Sequence, residues 1–330
     1  MTNARMSRRT AVGALTAALC SASGSRAQPA PTQNASQHPA HAAALTHLRN
    51  RDWAALSAAT VALAPQSASV LLGDLGDSTP FGVDLAGLEA LPMGCTIAAA
   101  IEVEWAWRHR GSGVSSTVTE AGWRGFEAQL SAARAHVERA ARADRNDGVA
   151  HAIGLRVARG LSDRDGLDRG LHSYLIAARR PVGGLSAYMV SITSKWLGSE
   201  EECLRFARAM WRLDPPASCG LLPHAHFECW QSRGLEGADE LARYFGAAEV
   251  RAEIMAADDR FDAGPPDSDA YANLYAHGRF SFVFAIMDER ERARRHFLAM
   301  GDRVAGPWAD LPDPRAAVRI AREALGLGAT

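Results

Sequence analysis

Asp258, Asp259 and Asp262 stand at i, i+1 and i+4 in the run DDRFD. At that spacing three carboxylates can hold hard cations that bridge a diphosphate. The chemistry also calls for a second acidic metal motif further along, and the 68 residues after Asp262 contain no match. It calls for an aromatic-lined cavity as well, and aromatics make up only 7% of the chain. The run is therefore read as a solvated helix end leading into Gly264-Pro265-Pro266. A metal- or diphosphate-dependent enzyme, using this run or the His224, His226 and Glu228 groups, is kept as the alternative function.

The stretch from Leu222 to Cys229 (LPHAHFEC) gathers further ligating side chains. On a helix, His224 and Glu228 lie one turn apart and can share a zinc ion, while His226 points about 160° away from His224. There is no HExxH and no distant cysteine pair at ligand spacing. Lys195 is the only lysine, the other 35 cations being arginines, and it stands beside Trp196. The pair suits a carboxylate or phosphate ligand held between helices, or alternatively a helix C-terminus whose carbonyls Lys195 binds while Trp196 packs beneath. Lys195, Trp196, His226 and Glu228 are the candidate ligand-binding residues, and His224 with Glu228 the candidate metal pair. No GxSxG, GxGxxG, Walker loop or CxxC is present, so no cofactor is expected and catalysis has no clear nucleophile.

Cys203 and Cys229 each lie 13 residues from Pro216, the centre of the turn between their two predicted helices. An antiparallel hairpin brings them level, as neighbouring buried thiols or as a disulfide. Cys219 and Cys229 share one helix ~15 Å apart along its axis and cannot bridge.

These residues must be positioned by helices. Trp123, Phe126, Leu130, Ala133, Val137 and Ala140 repeat at alternating steps of three and four, one face of a long helix. Thr117 with Glu120 can form a capping box ahead of it. Further helices are expected from near Asp147, Arg164, Leu185, Ser199, Ser218, Glu236, Glu249, Asp269 and Glu289, punctuated by Gly183-Gly184, Asp214-Pro215-Pro216, Gly234 and Gly264-Pro265-Pro266. Only Val114–Val118 alternates like a strand. Hairpins starting at Trp123, Arg164, Ser199, Glu236 and Asp269 step by 41, 35, 37 and 33 residues. Tetratricopeptide-like helix pairs repeat every ~34. The expected fold is all-α, a tetratricopeptide-like array of antiparallel helix hairpins (an α-solenoid) over 41–330, with pairs at Trp123–Leu161, Arg164–Leu197 and Ser199–Ser232.

The chain's start reads differently. Arg5, Arg8 and Arg9 precede an apolar stretch, Thr10–Ser23, and Ser25-Arg26-Ala27 offers small residues for cleavage before Gln28. Ser7-Arg8-Arg9-Thr10-Ala11-Val12 is twin-arginine-like, although Ala11 stands where a bulky apolar residue is preferred. Residues 1–27 are thus expected to be an export signal and 28–40 a flexible linker, giving a periplasmic or secreted mature protein. Its removal takes the net charge from −1 to −5, which excludes nucleic acid and leaves no membrane-spanning segment in the mature chain.

Several stretches resemble an uncharacterised bacterial family of tetratricopeptide-like helical proteins. They are Trp107–Gly111 (WxxRG), Gly122-Trp123, Ala158-Arg159-Gly160-Leu161, Lys195–Ser199 (KWxGS) with Phe206-Ala207-Arg208, His226-Phe227-Glu228, and Gly301 with Pro307-Trp308 (GxxxxxPW). Leu197 departs from the pattern, which has glycine there. The resemblance spans roughly residues 50–320 and implies a tetratricopeptide-like fold. With no catalytic motif, the expected function is a binding or scaffold protein holding a protein or peptide partner on the concave face of its hairpins.

Overall fold

A computed structural model describes residues 38–328 except 112, 114, 214, 215, 235–237 and 312. The twin-arginine-like signal and the linker up to residue 37 lie outside the described residues. Among those residues the protein is all-helical, with fifteen α-helices and no strand. A single isolated bridge joins Asp147 and Arg179. No described helix is long and apolar enough to cross a membrane. The span read as one repeat domain divides into two compact units, one within Ala30–Ser199 and one within Glu200–Thr330.

The N-terminal unit contains α1 (His41–Arg49), α2 (Trp53–Val61), α3 (Pro65–Ser78), α4 (Gly94–Arg110), α5 (Glu120–Ala143), α6 (Gly148–Gly160), α7 (Arg164–Ile176) and α8 (Val182–Ser191). Side-chain caps set several starts. Asp52, Thr119, Asp147 and Asp163 each accept a backbone N–H in the first turn of α2, α5, α6 and α7. The capping box placed on Thr117 is corrected: Thr117 belongs to a short 3-10 turn, Ser115–Thr117, and Thr119 caps α5. That same turn occupies most of the segment read as strand-like.

The apolar stripe of α5 packs as its spacing demands, with Phe126 and Leu130 buried. Its most extensive partner is α4, which precedes it, and α6 packs on it less extensively. Likewise α7 and α8 both pack on α6 more than on each other. Helix α4 is buried along most of its length, from Thr96 and Ile97 to Trp105 and Ala106, so it offers no polar face and no periodic signal. Expected core positions Ile153 and Met189 are buried, whereas Val137, Leu171 and Leu175 are half-buried.

The C-terminal unit contains α9 (Glu200–Leu213), α10 (Leu221–Ser232), α11 (Ala238–Gly246), α12 (Ala248–Ala263), α13 (Ala270–Ile286), α14 (Arg290–Met300) and α15 (Pro314–Ala324). Helix α9 carries Glu200, Glu201 and Glu202 in its first turn, where the helix dipole favours them. A 3-10 turn, Pro216–Gly220, leads into α10, so that helix begins three residues later than the sequence suggested. Helices α9 and α10 pack together, as the pairing of 199–232 requires. In this pair Leu222 is buried, and Phe206 and Met210 are half-buried.

The GxxxxxPW stretch closes the unit. Gly301 ends α14 at φ 65°, and Gly306 takes φ 63° to open the turn Gly306–Asp310. A Cβ on Gly278 of α13 would lie 2.7 Å from the Ala305 carbonyl carbon, so only glycine admits this turn against the helix. Fully buried Trp308 then donates from Nε1 to Ser281 Oγ at 2.9 Å.

Candidate functional site

Four stretches far apart in the sequence meet in the N-terminal unit. The C-terminal end of α4 supplies Trp107 and Arg110, the first turn of α5 supplies Trp123, the end of α6 supplies Arg159, and the turn after α8 supplies Trp196. Trp107 and Trp196 meet edge to face, with ring centroids 5.7 Å apart. The Arg110 guanidinium carbon lies 5.8, 5.7 and 6.0 Å from the ring centres of Trp107, Trp123 and Trp196. That of Arg159 lies 5.1 and 5.2 Å from Trp107 and Trp196. Phe126 closes the base, 5.0 Å from Trp107 and 5.8 Å from Trp123. Each cation over an aromatic face contributes ~0.5–2 kcal/mol, rising as water is excluded. All three tryptophans are half-buried, and the Trp107 Nε1 is buried without a hydrogen-bond partner.

Backbone anchors hold the stack in place. Arg110 donates to the carbonyls of Gly111 and Gly113, pinning the segment that links α4 to α5. The Lys195–Gly198 turn is fixed by Trp196 N and Gly198 N to Thr193 O, Leu197 N to Ser191 O, and Arg164 to Leu197 O at 2.9 Å. Leu197 has no positive φ, so leucine fits where the resembling pattern has glycine. Lys195 is exposed beside the stack.

His224, His226 and Glu228 lie in the C-terminal unit, apart in the chain's division from Lys195 and Trp196, and all three are buried. His224 faces Glu228 at 3.6 Å and the Tyr275 hydroxyl at 3.2 Å. His226 turns elsewhere, to the Tyr244 hydroxyl at 3.1 Å and Glu253 at 3.2 Å. Arg208 grips Glu253 with two bonds, at 2.8 and 3.1 Å. Hydrogen bonding from His226, then from Arg208, holds the Glu253 carboxyl down at about 2. A zinc site needs three protein ligands at least. Among the described residues no group of three His, Cys, Asp or Glu is placed to hold a metal, so the His224–Glu228 pair has no third member.

The DDRFD carboxylates face guanidinium groups. Asp258 is fully buried, its Oδ1 2.8 Å from His296 Nε2 and its Oδ2 2.5 and 2.6 Å from Arg292 and Arg295. Burial pushes its carboxyl up, and the bonds from His296 and Arg292 with the Arg295 charge more than reverse this. Asp259 pairs with Arg292 at 2.7 Å and Asp262 with Arg295 at 2.9 Å. The run thus ties α12 to α14, and both Asp258 oxygens are already engaged. Only the solvated helix end at Asp259 and Asp262 matches the sequence reading. Asp258 is corrected to a buried residue, because α14 packs its arginines across it.

Cys203 and Cys229 are both buried and carry no disulfide. Both act on the Tyr244 hydroxyl, which burial raises well above the usual phenol value.

Sequence reasoning missed a polar cluster between α4 and α5. Glu102 and His136 are 8% and 7% exposed, with Glu102 Oε1 3.4 Å from His136 Nε2. Arg139 reaches His136 at both ring nitrogens, Nδ1 at 2.7 Å and Nε2 at 3.3 Å, and both Glu89 oxygens at 2.9 Å. Nearby is a cavity of about 340 Å³ lined by residues that include Glu89, Cys95, Thr96, Ala140, Asp147 and Arg179. The one available signal was Cys95 and Glu102 at i and i+7 on α4, facing His136 and Ala140 at i and i+4 on α5.

No family model, curated protein or solved structure matches the chain.

Proposed function

We propose that this chain is an exported binding protein built of tetratricopeptide-like helix hairpins, and that it holds a peptide or protein partner at the tryptophan–arginine stack. The observation that carries the reading is the convergence of Trp107, Arg110, Trp123, Arg159 and Trp196 from four separate helical hairpin ends. Trp and Arg are the residues that dominate binding energy at protein interfaces, because they combine large apolar area with rigid donors. The guanidinium groups and Lys195 give the patch positive charge in a chain whose net charge is −1, which favours a partner segment rich in carboxylates. Arg5, Arg8, Arg9 and the apolar run after them support export. Pairing of α9 with α10, the hairpin expected over 199–232, supports the array.

The test is a peptide array of acidic, neutral and basic sequences, probed with the intact chain and with Trp196→Ala. Acidic peptides should bind best, and Trp196→Ala should weaken them by about tenfold or more, the scale of an interface hot spot. Binding that ignores peptide charge, or survives Trp196→Ala intact, overturns the reading.

A further inference from the structure

The Glu102–His136–Arg139 cluster lies on the same two helices as the stack. Glu102 precedes Trp107 by five residues on α4, ~7.5 Å along the axis, and His136 shares α5 with Trp123. Its hydrogen-bond logic is closed. A guanidinium donates and never accepts, and one Arg139 nitrogen stands against both ring nitrogens of His136, 2.7 Å from Nδ1 and 3.3 Å from Nε2. The imidazole also lies beside the carboxylate, its Nε2 3.4 Å from Glu102 Oε1. A doubly protonated imidazolium would turn both of its N–H groups toward Arg139, which the paired Glu89 holds in place. The other Glu102 oxygen, Oε2, is buried and has no hydrogen-bond partner. A proton entering the cluster thus has one place to go, and it is the carboxyl.

The surroundings agree. His136 and Arg139 face Glu102 from α5, and Glu89 faces it from the turn before α4. Of the other helices packed on α4, α6 directs Arg156 to Glu104 at 2.6 Å. From α3, Asp74 accepts from His38 N, and Asp77 acts on Arg156. The short turn Ala86–Leu88 carries no charge. Burial, partly offset by Arg139, raises the Glu102 carboxyl to about 7, and burial with Arg139 lowers His136.

We infer that Glu102, His136 and Arg139 form a proton-operated latch on the α4–α5 hairpin. With Glu102 protonated the hairpin closes and presents the stack. With Glu102 ionised, a buried charge that Arg139 offsets only in part loosens it, so occupancy of the stack falls as pH rises through neutrality. The control over occupancy rests on the binding reading above; the latch itself does not.

Amide hydrogen exchange of the intact chain, corrected for intrinsic rates, tests it at pH 6 and pH 8. In the open state the carboxyl returns to its ordinary value near 4.5, so the closed state alone keeps its proton between there and about 7. Opening of segments 94–110 and 120–143 should accordingly rise about tenfold from pH 6 to pH 8. Glu102→Gln, which keeps shape and removes ionisation, should abolish that rise. An equal opening at both pH values in the unaltered chain, or the same rise in Glu102→Gln, overturns the latch. Should the variant fold poorly, carboxyl carbon NMR of the unaltered chain decides: one glutamate must titrate near 7, and none doing so overturns the latch. Peptide binding measured on the same samples separates the two ideas. A latch profile without peptide binding at either pH overturns only the binding reading. Binding equal at pH 6 and pH 8 beside an intact profile overturns the control over occupancy.

Discussion

His277 and His296 face each other Nδ1 to Nδ1 at 2.9 Å, so the two nitrogens share one proton. Which ring supplies it is settled on the far side of His296, where Nε2 meets the Asp258 carboxylate at 2.8 Å and must donate. Neutral His296 then offers only a lone pair at Nδ1, and His277 donates to it. Protonating His296 would make its Nδ1 the donor and force His277 to move its own proton to Nε2. Burial, reinforced by His296, Arg295 and Arg303, lowers His277 to about 4. Burial also lowers His296, against the pull of Asp258.

A pH dependence follows for the C-terminal unit. Unfolded His277 takes a proton near 6.5 and the folded one near 4, so the unfolded state binds more protons between those values. The contribution is complete above about 6.5 and is lost as pH falls toward 4, by up to roughly 3 kcal/mol. Urea unfolding from pH 7 to pH 4 measures it. His277→Gln should flatten the slope, and an unchanged slope in that variant would show that other groups govern the acid response.

Asp258 and its neighbours predict a graded series. Replacing Asp258 by Ala leaves Arg292, Arg295 and His296 facing a void and should cost about 3–5 kcal/mol, the scale of breaking a buried ion pair. Asp259→Ala and Asp262→Ala remove surface pairs and should cost less than about 1 kcal/mol. A site for hard cations would behave otherwise, with magnesium raising the melting temperature of the unaltered chain. Thermal melts with and without magnesium, across the three variants, separate a tie between helices from a metal cradle.

Phe126 and Leu130 lie at the centre of the α4–α5 packing, at 2% and 0% exposure. A Cβ on Gly160 of α6 would approach both, at 3.1 and 2.5 Å, so all three helices close over them. Truncating either to alanine should cost roughly 2–5 kcal/mol. Val137, further along the same helix and half-buried, should cost clearly less. Chemical denaturation of the three variants checks the order, and equal losses at Val137 and Phe126 would contradict it.

How much of this was legible in the sequence depends on the range of the interaction. Asp147, Asp163 and Asp269 announce helices because a cap acts within one turn. The stripe of α5 was legible because one of its faces meets solvent. Helix α4 was not, because residues from Ile97 to Ala106 are buried almost all round and show no period. The partners of Asp258 lie 34 to 38 residues away, and nothing in the local pattern of DDRFD points to them. The tryptophan–arginine stack was visible only as scattered motifs, since no spacing rule links Trp107 to Trp196. His136 looked like one more position on a helix until Arg139 and Glu102 were found packed against its ring.

The stack makes the last prediction. Arg159 lies 5.2 Å from the Trp196 ring centre and 5.1 Å from that of Trp107, and the two rings meet edge to face. If cation and ring act as one unit, their losses are not additive. Arg159→Met keeps most of the aliphatic length and removes the charge, and Trp196→Leu keeps apolar bulk and removes the ring face. A double-mutant cycle on unfolding free energy isolates what passes between them. A partly desolvated pair should give a coupling of about 0.5–2 kcal/mol. It should also resist salt better than the exposed Arg124–Glu120 pair, because half-buried groups are screened less. A coupling below about 0.3 kcal/mol, within the error of additivity, would mean that Arg159 and Trp196 are merely adjacent. The stack would then lose its rigidity, and with it the preorganisation that makes it a place for a partner to dock.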